Sequence, residues 1–368
     1  MKKVVTRAAV ALGAVALIAG SLSACSNGSE AASSGGGSAS NAKIGLLLPD
    51  SVTARFASAD RPLFTERIKA KCPDCTVLYQ NAGGDASKQQ QQAQAMLTQG
   101  VKVLVLDAFD GEAAASIVSL AKAKDVPVVS YDRLINSGDL SAYISFDNNK
   151  VGELQATALV KRMQELGIPD DAGILEVNGS PTDNNASQFK AGAQSVLSDT
   201  GYEVLGEYDT PGWDPAKAQS WASGQLSKVG VSQVKGIYAA NDDTAGGVIS
   251  AMQAAGATEI PPITGQDATL AGLQRILAGK QYMTVYKAFK PEAQGAADLA
   301  LQLAAGKKAD TTSTVKTASG KSVPSVILTP VAVTADNIKD TVVKDGLFTA
   351  DQICTAALAD ACAKYGIN

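Results

Sequence analysis

The sequence predicts an α/β protein made of two doubly wound parallel-sheet lobes. Three observations predict it. Short β-branched runs alternate with amphipathic segments from Lys43 onward, the alternation restarts once near Val151, and the body beyond Lys43 is long enough to bury two cores.

The first series pairs a strand at 43–48 with a helix at 64–71, a strand at 76–80 with a helix at 87–99, and a strand at 103–107 with a helix at 111–124. Strands at 126–131 and 142–146 complete it. A helix over 151–166 opens the second series. This continues through strand 173–177, helix 184–198, strand 202–208, helix 215–228, strand 234–239, helix 244–255, strand 262–265, helix 270–278 and strand 283–286. The remainder is a helix over 291–305, a polar stretch to 321, a strand near 326–328 and a helical tail. It is too small for a third domain and is expected to cross back into both lobes. The boundaries that follow are 43–146 plus about 288–321 for the N-terminal lobe and 147–287 plus about 322–368 for the C-terminal lobe.

Ahead of the body, Lys2, Lys3 and Arg7 precede an apolar stretch, 8–20, that is too short for a comfortable membrane span. It ends in Leu22-Ser23-Ala24-Cys25, which resembles a bacterial lipobox. In that motif the peptide is cut before the cysteine and the cysteine is acylated. Residues 1–24 are thus expected to be a signal peptide and Cys25 a lipidation site; the competing reading is an ordinary signal peptide with an incidental cysteine. Residues 25–42, rich in Ser, Gly, Ala and Asn, cannot bury enough apolar surface to offset chain entropy and read as a flexible tether. An exported body held to the outer face of the cell membrane by lipid is the expectation.

Composition narrows the chemistry. A formal net charge of −4, mixed signs and few aromatics argue against a nucleic-acid surface. The chain has no histidine, which excludes Ser-His-Asp, Cys-His and HExxH mechanisms. No metal or other cofactor is expected. Cys72, Cys75, Cys354 and Cys362 remain in the body, and in an exported protein two disulfides are the default, with their connectivity open. A redox Cys-x-x-Cys opens a helix after a strand, whereas 72–75 closes a helix-like segment ahead of one; a four-cysteine zinc site would have the usual spacing on one side only. Were Cys354 bonded to Cys362, a continuous helix would hold them about 12 Å apart, so the tail would have to bend.

Ligands of open α/β sheets sit at the carboxyl ends of strands. Those ends are polar here: 50–56, 107–110, Asp132-Arg133, Asp147-Asn148, 180–185, Asn241-Asp242, Gln266-Asp267 and Lys287. Asp and Asn beside Arg and Lys supply the paired donors and acceptors that neighbouring sugar hydroxyls require. Trp213 and Phe56 add flat faces for the C–H side of a pyranose. Each acid has a basic neighbour, which favours a neutral ligand. Asp132 with Arg133, or Asp267 with Lys287, could instead be structural ion pairs, and 183–185 a helix cap. The glutamines at 89–92 read as a solvated helix face.

The strings Tyr131-Asp132-Arg133-Leu134-Ile135, Tyr143-Ile144-Ser145-Phe146-Asp147-Asn148 and Gly179-Ser180-Pro181-Thr182-Asp183-Asn184-Asn185-Ala186 resemble the D-xylose-binding proteins of bacterial ABC transporters. So do Val151-Gly152-Glu153-Leu154-Gln155, Asn241-Asp242 before Thr244-Ala245-Gly246-Gly247, Gly265-Gln266-Asp267-Ala268 and Met283-Thr284-Val285-Tyr286-Lys287, in the same order over about 43–346. The resemblance implies a periplasmic-binding-protein type I fold, two lobes joined by three crossings, with a monosaccharide, D-xylose first, as ligand and a membrane permease as partner. It implies a monomer that binds without chemistry, and it places sugar contacts at Arg55, Asp132, Arg133, Asp183, Asn185, Trp213, Asn241, Asp267 and Lys287. Where that family has tryptophan after the first arginine this chain has Phe56, which bears on sugar preference and admits glucose or another aldose. The Cys354–Cys362 extension lies beyond the shared pattern.

Two other functions compete with capture. A glycoside hydrolase needs only a carboxylate pair, and Asp183 with Asp267 could be cast for it, yet Arg and Lys beside both are expected to hold them ionised, leaving no general acid. A sugar-responsive repressor would need a DNA-binding headpiece where the leader and tether stand. Gly320-Lys321-Ser322 is no phosphate loop, since Val315 occupies the place of its first glycine.

Overall fold

The computed structural model describes residues 39–367. The expected leader 1–24, the lipidation site Cys25 and the tether as far as residue 38 lie outside them. Ala42, placed at the tether's end, already belongs to the body: it is buried and its carbonyl accepts from the Thr76 amide.

In the first lobe, β1 (Lys43–Leu48), β2 (Thr76–Asn81), β3 (Val103–Leu106), β4 (Val128–Tyr131) and β5 (Ala142–Phe146) run parallel. They are linked by α1 (Arg61–Lys71), α2 (Ala86–Thr98) and α3 (Ala115–Lys122). β3 is an unbroken apolar run and β4 is fully buried with Ser130 as its one polar residue, because both faces of a parallel sheet are covered by helices, and buried clusters lie on either side of it. α1 starts earlier than its apolar pattern suggested, as a π-helical turn at Phe56–Asp60 running directly into it.

The second lobe comprises α4 (Asn148–Glu165), β6 (Gly173–Asn178), α5 (Asn184–Leu197), β7 (Glu203–Asp209), α6 (Pro215–Val229), β8 (Val234–Ala239), α7 (Asp242–Ala254) and α8 (Leu270–Leu277), followed by β9 (Thr284–Tyr286). Its sheet has the order β7-β6-β8. The strand expected at 262–265 is reduced to a bridge, Ile237 with Ile263, and Gly265 then receives the Val285 amide, so the sheet continues irregularly toward β9. Helices α4 and α5 touch backbone to backbone: a Cβ on Gly152 would lie 1.9 Å from the Phe189 carbonyl oxygen and one on Gly192 2.0 Å from that of Asn149. Only glycine permits this approach, which brings Asn148 beside Asn185.

Helix α9 (Phe289–Ala304) returns to the first lobe, where Ala293, Ala296, Ala297 and Ala300 join the core of β1 and β3. There β10 (Ser313–Lys316) and β11 (Ser322–Leu328) form a hairpin, and β11 pairs in parallel with β5. The first sheet is therefore seven-stranded, β10-β11-β5-β4-β3-β1-β2. This corrects two expectations. The stretch before 321 holds a strand whose polar residues belong to a half-exposed edge, and residues 322–328 lie in the first sheet rather than the second. The third crossing consequently falls between Leu328 and β12 (Val331–Val333), which pairs antiparallel with β9.

The tail closes over α8. Ile338, Val342, Ile353, Cys362 and Ile367 form one cluster with Ala268, Leu273 and Tyr286. Cys354 bonds Cys362 across a bend, with Cα atoms 6.0 Å apart, and Cys72 bonds Cys75 in the turn between α1 and β2. Among the described residues no helix is long and apolar enough to cross a membrane, and no group of three or more His, Cys, Asp or Glu side chains could hold a metal ion.

Candidate functional site

Each sheet reverses its winding once, at β1/β3 in the first lobe and at β6/β8 in the second, and loops leaving those strands diverge to open a crevice. The two crevices face each other. Between them lies a cavity lined from both lobes. All ten residues expected to bind ligand line it: Arg55, Phe56, Asp132, Arg133, Asp183, Asn185, Trp213, Asn241, Asp267 and Lys287. Thr53 and Gln266, from the polar strand ends, line it too, as does Phe189, which the sequence did not mark. Phe189 stands one helical turn beyond Asn185 on α5, a spacing that could have pointed to it.

The helix caps do double duty. Asp183 opens α5 by accepting the Asn185 amide on Oδ1, while its Oδ2 accepts from Arg133 Nε at 2.9 Å and Trp213 Nε1 at 3.0 Å. Asn241 opens α7 in the same way, its Oδ1 accepting from the Thr244 amide at 2.8 Å, which leaves its amide group for the cavity. The capping and ligand readings of these residues are compatible, because one side chain offers two polar atoms.

Three cations lie at the floor. Arg55 donates Nε and Nη2 to Asp60, Nη2 also to Glu292 at 2.7 Å, and Nη1 to Asp132 at 2.7 Å, while Asp267 stands 3.8 Å from Nη1. Its guanidinium lies 4.0 Å from the centre of the Phe289 ring. Arg133 meets Asp183, Asp50 at 3.5 Å and Asp107 at 3.6 Å. Lys287 lies 3.3 Å from Asp132 and 3.4 Å from Asp267. The pair anticipated between Asp132 and Arg133 is not formed: consecutive side chains diverge, and each finds its partner elsewhere. Asp132 and Asn185 join the lobes directly, Nδ2 to Oδ1 at 2.9 Å.

Asp132, Trp213 and Asp267 hold φ at +56°, +58° and +87°. Such backbones cost about 1–3 kcal/mol each and persist only where surroundings fix them. Trp213 is fixed by Gly179, since a Cβ there would lie 2.0 Å from the indole ring.

Charge balance decides protonation. Seven carboxylates surround the three cations: Asp50, Asp60, Asp107, Asp132, Asp183, Asp267 and Glu292. Burial would raise Asp132, but Lys287, Arg55 and Arg133 outweigh it and hold this carboxyl below the usual range. For Glu292 burial wins, with Asp132 adding to it and Arg55 opposing, and its pKa stands well above the ordinary value. Asp107 is raised likewise, burial outweighing Arg133. Burial also raises Asp183 against Arg133, so the expectation that a basic neighbour alone would keep this acid fully ionised omitted desolvation. Gln89, expected in solvent, is 1% exposed; its amide donates to the Asp107 carbonyl and accepts from the Phe109 amide, fixing the loop behind Arg133.

The profile of the family described as "Periplasmic binding protein domain" matches residues 44–308. The D-xylose-binding periplasmic protein of Escherichia coli (strain K12) is 41% identical over 315 residues, covering 84% of this chain and 91% of that one. The multiple sugar-binding periplasmic receptor of Rhizobium radiobacter is 33% identical over 330 residues, 84% of this chain and 92% of that one. Among solved structures, an ABC transporter solute-binding protein from Clostridium phytofermentans with bound β-D-glucose superposes with a TM-score of 0.78 at 28% identity, covering 84% of this chain and 99% of that one.

Glu292 yields a pH prediction. Its folded pKa is raised, so its contribution to stability is full below the unfolded value, about 4.3, and is lost as pH rises toward the folded one. Glu292→Gln has no proton to lose. Its melting temperature should gain on the wild type between pH 4 and pH 8 (about 1.4 kcal/mol per pH unit until the folded carboxyl ionises); a difference independent of pH would show that the carboxyl is not shifted.

Proposed function

The chain belongs to the periplasmic binding protein domain family, and from that premise we propose that it captures one monosaccharide, D-xylose first, between its lobes and presents it to the permease of an ABC importer. It is a binding protein, not an enzyme, as its relatives are. The observation that carries the reading is the lining of the cavity, where ion-paired and amide side chains from both lobes meet beside Phe56, Phe189 and Trp213. Fixed donors and acceptors suit a ring of hydroxyls, and aromatic faces suit its C–H side. The lining comes from both lobes and is small, thirteen residues in all, which suits one sugar ring rather than a chain of them.

Closure supplies the mechanism. Arg55, Asp132 and Arg133 come from the first lobe; Asp183, Asn185, Trp213, Asn241 and Asp267 come from the second, and Lys287 ends the hinge strand β9. A sugar bonded to both sets stabilises the closed form over the open one by its differential contacts, and a permease can then select that form. A sugar with a misdirected hydroxyl leaves a buried group unpaired at about 1–3 kcal/mol, so the site discriminates sharply. Glucose is the second candidate, since a structural relative holds it and Phe56 is smaller than the family's tryptophan.

A thermal-shift screen over pentoses and hexoses, followed by titration calorimetry, tests this. D-xylose or D-glucose should raise the melting temperature saturably. Asp267→Ala should weaken binding tenfold or more, about 1.4 kcal/mol. Asn241→Asp should do the same while keeping the cap of α7, whereas Asn241→Ala would also lose about 1 kcal/mol of helix stability. Unchanged affinity in both Asp267→Ala and Asn241→Asp would refute the site.

Export and anchoring rest on the sequence of residues 1–25. We read the mature chain as a monomer held at the outer face of the cell membrane by lipid on Cys25, where the tether keeps loaded receptor concentrated near its transporter. Labelled palmitate fed to the producing bacterium should enter the wild-type chain and not Cys25→Ser, with sugar affinity equal in the two. No label in the wild-type chain, or equal label in Cys25→Ser, would rule out the anchor.

A further inference from the structure

Asp242 follows Asn241 but turns its carboxylate away from the cavity, into the loop that carries Asp267. It is fully buried. One oxygen accepts the Thr269 backbone amide at 2.7 Å and the Thr269 hydroxyl at 3.2 Å; the other accepts Gln281 Nε2 at 2.6 Å. Its own amide donates to the Gln266 carbonyl, and its carbonyl accepts from Arg275. Two glycines make room for it, since a Cβ on Gly265 or on Gly272 would lie 2.1 Å from a carboxylate oxygen.

The loop so held is strained. Asp267 and Ala268 are consecutive non-glycine residues at φ +87° and +44°. Three successive amides are each secured: Asp267 to the Val285 carbonyl, Ala268 to the Thr284 hydroxyl and Thr269 to Asp242. A side-chain carboxylate from the start of α7 supplies the last of these. Without it the segment could relax toward an ordinary backbone, and the Asp267 carboxylate would swing off Lys287 and Arg55.

We propose that Asp242 is a positioning residue: it touches no ligand and sets sugar affinity by holding the Asp267 loop in its strained conformation. The proposal rests on the reading of Asp267 as a sugar contact, and two readouts keep the two questions apart. Amide hydrogen exchange at 266–269, measured without sugar, addresses Asp242 alone. It should be at least tenfold faster in Asp242→Ala than in wild type, with the core strands unchanged. Calorimetry with D-xylose and D-glucose addresses the consequence. Asp242→Ala should lose tenfold or more in affinity in the wild-type background, but less than threefold in an Asp267→Asn background, because the group it positions is already altered. A merely structural role would cost the same factor in both.

Unchanged exchange at 266–269, or affinity losses that multiply, would overturn the proposal. If Asp242→Ala gives no folded protein, Asp242→Asn replaces it: its carbonyl oxygen still meets the Thr269 amide while its amide group faces that of Gln281. It should fold, with faster loop exchange and a threefold or greater loss that again disappears beside Asp267→Asn; wild-type exchange and affinity in this variant would equally overturn it.

Discussion

A buried guanidinium is stable only where carboxylates and carbonyls match its hydrogens, and Arg55 is matched by Asp60, Asp132 and Glu292, from three separate stretches of the chain. Asp60 belongs to the turn leading into α1, Asp132 follows β4, and Glu292 lies in the first turn of α9, after the chain has crossed back from the second lobe. The ion cluster therefore requires the α/β winding to bring strand ends together and the hinge to return α9 to the first lobe. Lys287, at the end of β9, then shares Asp132 and Asp267 between the lobes.

Strain and unusual protonation gather at the cavity. Of the six non-glycine residues at positive φ among those described, Asp132, Trp213 and Asp267 line it, and among the carboxyls lifted above their ordinary range Asp183 lines it while Asp107 and Glu292 stand beside its arginines. Ion pairs and backbone hydrogen bonds hold the cavity side chains in place. Rigid donors and acceptors of this kind lose little entropy on binding, which favours a ligand whose hydroxyls are themselves fixed on a ring.

Much of the fold was legible in the sequence, because a covered parallel strand must be apolar throughout and a strand end facing a crevice must not be. Hence the order of elements could be read from runs such as Val103–Leu106, and most of the residues that line the cavity lie in the polar strand ends that follow them, while the choice among those as ligand contacts came from the family resemblance. What escaped was set by tertiary context. β10 is an edge strand of Ser, Thr, Val and Lys with no apolar signature, so the third crossing was placed too early. Gln89 looked like a solvated helix residue, since periodicity says nothing of a loop folding over it. Asp60 and Glu292 gave no local sign either, for their role exists only once Arg55 arrives from elsewhere.

Closure around a bound sugar is tested most directly by small-angle scattering of the two-lobed body, titrated with D-xylose and with D-glucose. Expected is a saturable fall in the radius of gyration, with a midpoint that matches the calorimetric affinity and is lost in Asp267→Ala. Heat of binding accompanied by an unchanged radius at saturation would contradict the closing of two lobes on their ligand.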